Sequence, residues 1–243
     1  MTDSTVVRHH ASVRYDVACM DKYLADVLSL EAVACKDWLT NKVDRSVTGR
    51  VARQQCQGAL QLPLSDCGVV SIDFTGRRGI ATSIGHAPQA ALCDAAAGSR
   101  MAIAEALTNI VGADSVAGLR SVSLSANWMW PCRNPGEDAA LYRAVESCSE
   151  FACALGVNIP TGKDSLSMTQ KYPDGRRVMA PGTVIISAAA PVRDIRRTLS
   201  PVLVQKKSST LYYIDFAGDT LRLGGSALAQ TMGLVGNKAP EVD

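Results

Sequence analysis

Glu105 and Asn109 stand four residues apart in an alanine-rich segment and offer one carboxylate and one amide oxygen. On a helix, positions i and i+4 share a face, with Cβ atoms about 5 to 6 Å apart. Both oxygens can then reach a single hard cation such as Mg²⁺, which prefers oxygen ligands and keeps phosphates or water in its other positions. Asp66 follows Pro63-Leu64-Ser65 at the start of a predicted strand, where a second carboxylate can project from a sheet edge toward a neighbouring helix. The bland alternative is that an i,i+4 pair of this kind only decorates a solvated helix face. Against it, the stretch from Ala102 to Val111 is almost wholly apolar. The Glu105 carboxylate is therefore expected to be partly buried, and a buried charge needs a partner or a metal.

Other groups carry weaker signals. Lys36 and Leu39 precede Asn41-Lys42-Val43-Asp44-Arg45-Ser46-Val47-Thr48-Gly49-Arg50, which mixes cations, hydroxyls and a glycine as a phosphate-contacting loop does. Without a Walker pattern, an ordinary solvated turn explains that run as well or better. Thr161-Gly162-Lys163-Asp164-Ser165 gathers a cation, a carboxylate and a hydroxyl on what reads as a glycine-led turn. Lys163, Asp164 and Ser165 are candidates for substrate or phosphate contact, although plain turns use the same residue types. Trp128-Met129-Trp130 lacks a basic surround and suits packing or a lid better than base stacking. Gly224-Gly225-Ser226 suits a helix cap better than an anion site. His9, His10 and His86 are not set beside a serine or cysteine as a triad requires, and no catalytic residue is assigned.

These groups need elements to hold them. Val17, Met20, Leu24, Val27 and Leu28 recur at helical spacing and predict a helix that buries one face. Cys67 to Ile72 and Gly79 to Ile84 predict a hairpin turned at Thr75-Gly76. From Ala90 a long helix carries Met101, Ala104, Leu107 and Val111 on a core stripe, with Gly112 as its stop. Ser121 to Ala126 alternates as a half-buried strand, Asp138 to Leu155 forms a second long helix ending before Gly156, and Val184 to Ala188 forms another strand. A mixed α/β domain is expected over residues 17–192, after a loose leader at 1–16. A charged, proline-containing connector follows at 193–207. Thr210 to Asp215 then predicts a strand, and the segment from Gly224 to Gln230 a helix. One strand and one helix cannot bury a core alone, so residues 208–243 are expected to begin a second, truncated domain.

Composition narrows the function classes. Of 243 residues, 47% are hydrophobic and 20% charged, enough apolar content for a real core. With 25 basic and 23 acidic residues and no long run of either sign, the charge balance points to neither nucleic acid nor a membrane surface. No apolar run is long enough to span a bilayer, and the N-terminal residues lack a signal-peptide core, so a cytoplasmic location is expected. Eight cysteines at irregular spacings, with no Cys-x-x-Cys pair, predict buried reduced thiols rather than zinc ligands or disulfides.

Several strings occur together and in order: Thr40-Asn41-Lys42-Val43-Asp44-Arg45-Ser46-Val47-Thr48-Gly49, Val51-Ala52-Arg53-Gln54-Gln55-Cys56, Glu105-Ala106-Leu107-Thr108-Asn109, Asn127-Trp128-Met129, Gly162-Lys163-Asp164-Ser165-Leu166-Ser167-Met168 and Gly224-Gly225-Ser226-Ala227-Leu228-Ala229-Gln230. From about Leu24 to Asp243 the chain resembles the phosphoribosylformylglycinamidine synthases of the large single-chain form. The likeness covers the first half of the second synthetase repeat and the start of that repeat's C-terminal subdomain.

The resemblance implies an α/β (α+β) fold like the N-terminal subdomain of aminoimidazole ribonucleotide synthetase, a mixed sheet packed on helices. It implies, for the whole enzyme, ATP-dependent amidation of formylglycinamide ribonucleotide with ammonia from glutamine, in purine biosynthesis. Asp66, Glu105 and Asn109 match Mg²⁺ ligands of an auxiliary site that holds ADP, Ser65 matches a nucleotide contact beside them, and Lys36 and Leu39 match positions near the same nucleotide. Ser65 stands where alanine is common in the family, so a backbone contact is the role it can keep. The phosphate-binding glycine loop and catalytic histidine belong to the other repeat, the glutaminase triad to a C-terminal domain, and a further metal-binding aspartate to a position past Asp243. The implied partners are that other repeat, whose sheet joins this one in a barrel, and the glutaminase domain. The segment alone is expected to be inactive and to self-associate through its uncovered sheet. A purely structural half that scaffolds the partner repeat is the alternative.

Overall fold

The structure, a computed structural model, describes residues 10–40, 50–56, 59–62, 65–205, 208–216 and 220–242. Most of the leader, the Asn41 to Gly49 run and the end of the connector lie outside these residues. Two helices come first, α1 (Met20–Ser29) and the short α2 (Asp37–Thr40). Strands β1 (Val51–Arg53), β2 (Gly68–Ser71) and β3 (Gly79–His86) follow, then helices α3 (Pro88–Cys93) and α4 (Ala95–Ile110). Next are β4 (Ser123–Met129), α5 (Glu137–Leu155), β5 (Asn158–Ser165), the small hairpin β6 (Thr169–Lys171) and β7 (Arg177–Met179), β8 (Thr183–Val192) and α6 (Ala227–Thr231).

Six strands form one mixed sheet in the order β1-β2-β3-β8-β4-β5. The β4–β5 pair is parallel and the others are antiparallel. The predicted hairpin is present, with Gly68 opposite Thr82 and Ser71 opposite Gly79. Strand β8, late in sequence, inserts between β3 and β4 and pairs with both over most of its length. The parallel pair needs a crossover, and α5 supplies it. Gly156 ends that helix in the left-handed region, at φ 69°, where an L side chain carries a steric cost.

Burial alternates strictly along β3 and most of β8. One sheet face packs against α4 and α5, with Val69, Ala81, Leu124, Ile186 and Val192 meeting Ile103, Ala106, Cys148 and Ala152. The α4–β3 contact is unusually close because its residues are small. A Cβ built on Gly85 would lie 2.2 Å from the Ala102 carbonyl oxygen and 2.4 Å from the Ala106 nitrogen. Beside it, the buried Ser83 hydroxyl donates to the Ala106 carbonyl at 2.6 Å. The opposite sheet face carries exposed Val70, Ile80 and Ile84 toward one edge and small hydroxyl residues across its middle.

Several expectations need correction. The long helix from Ala90 is two helices, broken at Asp94, whose extended backbone (φ −151°, ψ 112°) lets its carboxylate cap the second. That helix stops at Ile110, with Val111 rather than Gly112 closing it. Helix α1 forms but buries none of its residues: Met20, Leu24 and Leu28 are more than half exposed. Thr210 to Asp215 forms no strand, because no neighbouring chain pairs with it; Tyr212 and Tyr213 are exposed. Ser121 belongs to a 3₁₀ turn, and the following strand starts at Ser123. Two thiols, Cys35 and Cys153, are exposed rather than buried, and all eight cysteines are free. Among the described residues, no helix is long and apolar enough to cross a membrane.

Candidate cation and nucleotide site

Helix α4 fixes the site. The Asp94 carboxylate accepts from the main-chain N–H groups of Ala96 at 2.8 Å and Ala97 at 3.1 Å, satisfying donors that a helix start leaves unpaired. From there the helix runs across β3, drawn close at Gly85, and brings Glu105 and Asn109 to the strand's C-terminal end. Glu105 Oε2 accepts the main-chain N–H of His86 at 2.5 Å. Asn109 Nδ2 donates to the Ile84 carbonyl at 2.9 Å. The predicted i,i+4 pair thus grips the last turn of the strand's backbone from one side.

Asp66 and Ser65 arrive from the neighbouring strand. Extending the β2–β3 register two residues beyond Gly68 and Thr82 sets Asp66 across from Ile84, the residue whose carbonyl Asn109 holds. The Ser65 hydroxyl donates to the Cys67 carbonyl at 3.2 Å. Both residues line an open cleft of about 670 Å³ on the helix-free sheet face, with Thr82, Ile84, Ser125, Thr161 and Ser187 among its other walls. Burial pushes the Cys67 thiol pKa up, and the Asp66 carboxylate adds to the effect.

The structure therefore gathers Ser65, Asp66, Glu105 and Asn109 at one end of the β2–β3 pair. Glu105 is not buried as expected: its side chain is 46% exposed, because α4 meets the sheet through alanines and the carboxylate emerges at the strand's end. Lys36 and Leu39 do not line the cleft; the Lys36 ammonium donates to the Ala34 carbonyl at 3.0 Å, and Leu39 is exposed. Lys163, Asp164 and Ser165 lie not on a turn but in β5, the far edge of the sheet, two strands away from β3. There the Lys163 ammonium meets the Ser165 hydroxyl. Trp130 is buried, and Ser226 caps α6 by accepting from the Ala229 N–H at 3.1 Å.

The donors suit a hard cation. Glu105 keeps Oε1 and spare lone pairs on Oε2, and Asn109, which bonds the strand through its nitrogen, keeps Oδ1. Among the described residues, no three His, Cys, Asp or Glu side chains converge closely enough to cage an ion by themselves. Two carboxylates and an amide at a strand end form an open set, which Mg²⁺ accepts because it retains water or phosphate oxygens in its remaining positions. Sequence reasoning set His86 aside as a triad member and missed it as a neighbour of Glu105. It also missed the hydroxyl row of Thr82, Ser125 and Ser187, for which the alternation around Ser123 and Ser125 was the available signal.

Residues 35–191 match the model of the family described as the FGAR-AT PurM_N-like domain, and the chain belongs to that family. It is 46% identical over 221 residues to a human phosphoribosylformylglycinamidine synthase and 45% identical over 221 residues to a probable chloroplastic/mitochondrial phosphoribosylformylglycinamidine synthase of Arabidopsis thaliana. In both cases 90% of this chain is covered but only 16% of the relative's length. Among solved structures, PurL of T. maritima complexed with ADP superposes with a TM-score of 0.50 at 16% identity, covering 69% of this chain and 25% of that one. The mixed α/β fold is thus shared with that protein.

Proposed function

We propose that this chain works as a segment of a phosphoribosylformylglycinamidine synthase, the ATP- and glutamine-dependent ligase that amidates formylglycinamide ribonucleotide in purine biosynthesis. Its part is to hold an auxiliary Mg–ADP and to form one wall of the synthetase centre. The observation that carries this is the convergence of Asp66, Glu105 and Asn109 at the end of β3, with unspent oxygen donors beside an open cleft. The names of the curated relatives support the reaction class. When bound, Mg²⁺ would neutralise the phosphates of the nucleotide. Asp66, Glu105 and Asn109 would ligate the ion, and Ser65 would meet the nucleotide through its backbone. Lys36 and Leu39 keep their proposed place near the nucleotide, and Lys163, Asp164 and Ser165 theirs as contacts for substrate or phosphate on the far edge. None of these residues acts as general acid, base or nucleophile. Catalysis belongs to the partner repeat and glutaminase domain, and the segment alone is inactive.

Calorimetric titration of the full chain with Mg–ADP tests the site. Binding that Glu105→Ala and Asn109→Ala abolish supports it. No binding, or binding that both variants leave unchanged, overturns it.

A second reading is favoured by one specific observation: Glu105 and Asn109 already bond the strand's main chain. As clips between α4 and β3 they would make this chain a structural half that scaffolds the other repeat. That reading predicts variants that lose stability in a protein that never binds nucleotide. On either reading the helix-free sheet face is a docking face for another sheet, and the free chain self-associates at micromolar concentration. Monomers by light scattering would count against it.

A further inference from the structure

His86, the last residue of β3, is held at the candidate cation site by its own backbone. Its main-chain N–H donates to Glu105 Oε2 at 2.5 Å, and its imidazole Nδ1 lies 3.9 Å from that same oxygen. At 3.9 Å the ring is too far to be hydrogen-bonded to the carboxylate, so the ring nitrogen is not committed to it. The two side chains are 55% and 46% exposed, and no packing holds the ring away. An exposed His–Glu ion pair of this length stabilises a fold by little, so structure alone gives the ring slight purpose there.

We propose that His86 adds a nitrogen donor to the oxygen donors of Asp66, Glu105 and Asn109, so that the site prefers a first-row transition ion such as Mn²⁺ over Mg²⁺. The inference rests on the cation-site reading above and concerns which ion that site selects. Imidazole is a borderline ligand that first-row divalent ions accept readily, whereas Mg²⁺ takes oxygen almost alone and dehydrates reluctantly. One nitrogen among oxygens therefore raises affinity for Mn²⁺ and leaves Mg²⁺ nearly unaffected. The fixed backbone of His86 keeps the ring within one side-chain rotation of Glu105, which is what makes the nitrogen part of the site rather than a passing neighbour.

The test uses the full chain and the metal ions alone. Free Mn²⁺ is followed by its electron paramagnetic resonance signal, with Mg²⁺ as competitor, for the wild type, His86→Gln and Glu105→Ala. The expected result is that the wild type binds Mn²⁺ about tenfold more tightly than Mg²⁺, and that His86→Gln brings the two ions close to parity while keeping Mg²⁺ affinity. Circular dichroism checks that the variant is folded, and Co²⁺ supplies an independent readout, since its visible spectrum should change when a nitrogen ligand is lost. If His86→Gln leaves the Mn²⁺ preference and the Co²⁺ spectrum unchanged while Glu105→Ala removes binding, the role of His86 is overturned and the cation site stands. If the wild type binds neither ion, or Glu105→Ala changes nothing, the cation site falls and the inference with it.

Discussion

Asn109 Nδ2 lies 2.9 Å from the Ile84 carbonyl oxygen, one helical turn beyond Glu105, whose Oε2 takes the N–H of His86. A residue proposed to ligate an ion is therefore also a tether between α4 and β3, and the two roles can be separated. In Asn109→Asp the donor to Ile84 is gone, but a stronger oxygen ligand replaces the amide. The variant should lose about 1 to 3 kcal/mol without divalent ions, since a carboxylate now faces a carbonyl that has lost its partner. Added Mg²⁺ should recover part of that loss. Thermal melts with and without Mg²⁺ check this, and a loss insensitive to the ion would leave only the tether.

The close approach of α4 to β3 depends on the missing Cβ at Gly85. Gly85→Ala sets a methyl against the Ala102 carbonyl and the Ala106 nitrogen, backbone atoms that cannot rotate away. An overpacking cost of about 1 to 3 kcal/mol is expected. Because the helix must lift, Glu105 and Asn109 should move off the strand's end as well. Urea denaturation would report the first effect and nucleotide titration the second.

Thiol chemistry should follow burial. Burial alone pushes the Cys148 thiol up to about 11, so at mildly alkaline pH it is almost entirely protonated and slow to react. Cys35 and Cys153 are exposed and should react first with a disulfide reagent. Cys56, Cys67 and Cys148 should appear only when urea opens the fold. Fast labelling of Cys148 in the native protein would contradict its place between α5 and the sheet.

The turn between β2 and β3 gives the fold a pH-dependent element. The N–H of Arg78 at 2.9 Å, and that of Arg77 at 3.1 Å, donate to the Asp73 carboxylate and hold its pKa well below the usual range. A carboxyl depressed on folding adds stability above its unfolded pKa of about 3.9, and that stability is lost as pH falls toward the folded value. Asp73→Asn should therefore be less stable than the wild type near neutrality and show a shallower loss below about pH 4. Urea midpoints measured across that range decide it.

Local pattern was enough for much of this. Helical spacing put Glu105 and Asn109 on one face, Thr75-Gly76 marked the hairpin, and Gly156 marked the end of α5, because each depends on neighbours a few residues away. Alternation in Val184 to Ala188 announced a strand but not its place. Only the tertiary fold sets β8 between β3 and β4, and that insertion moves Lys163, Asp164 and Ser165 to the far edge from Glu105. Thr210 to Asp215 carries the same kind of strand pattern and forms none, since a strand exists only when a second chain segment supplies its hydrogen bonds.

The types of the site's donors, and the helix that spaces two of them, were therefore determined by the sequence itself. That Asp66 stands across from Ile84, that the Glu105 carboxylate is half exposed, and that His86 lies beside it were decided by strand register and by the close seat of α4 over Gly85. Those are long-range packing relations. Residue spacing along the chain does not encode them, because the atoms involved meet only after the sheet is assembled and its small residues let the helix in.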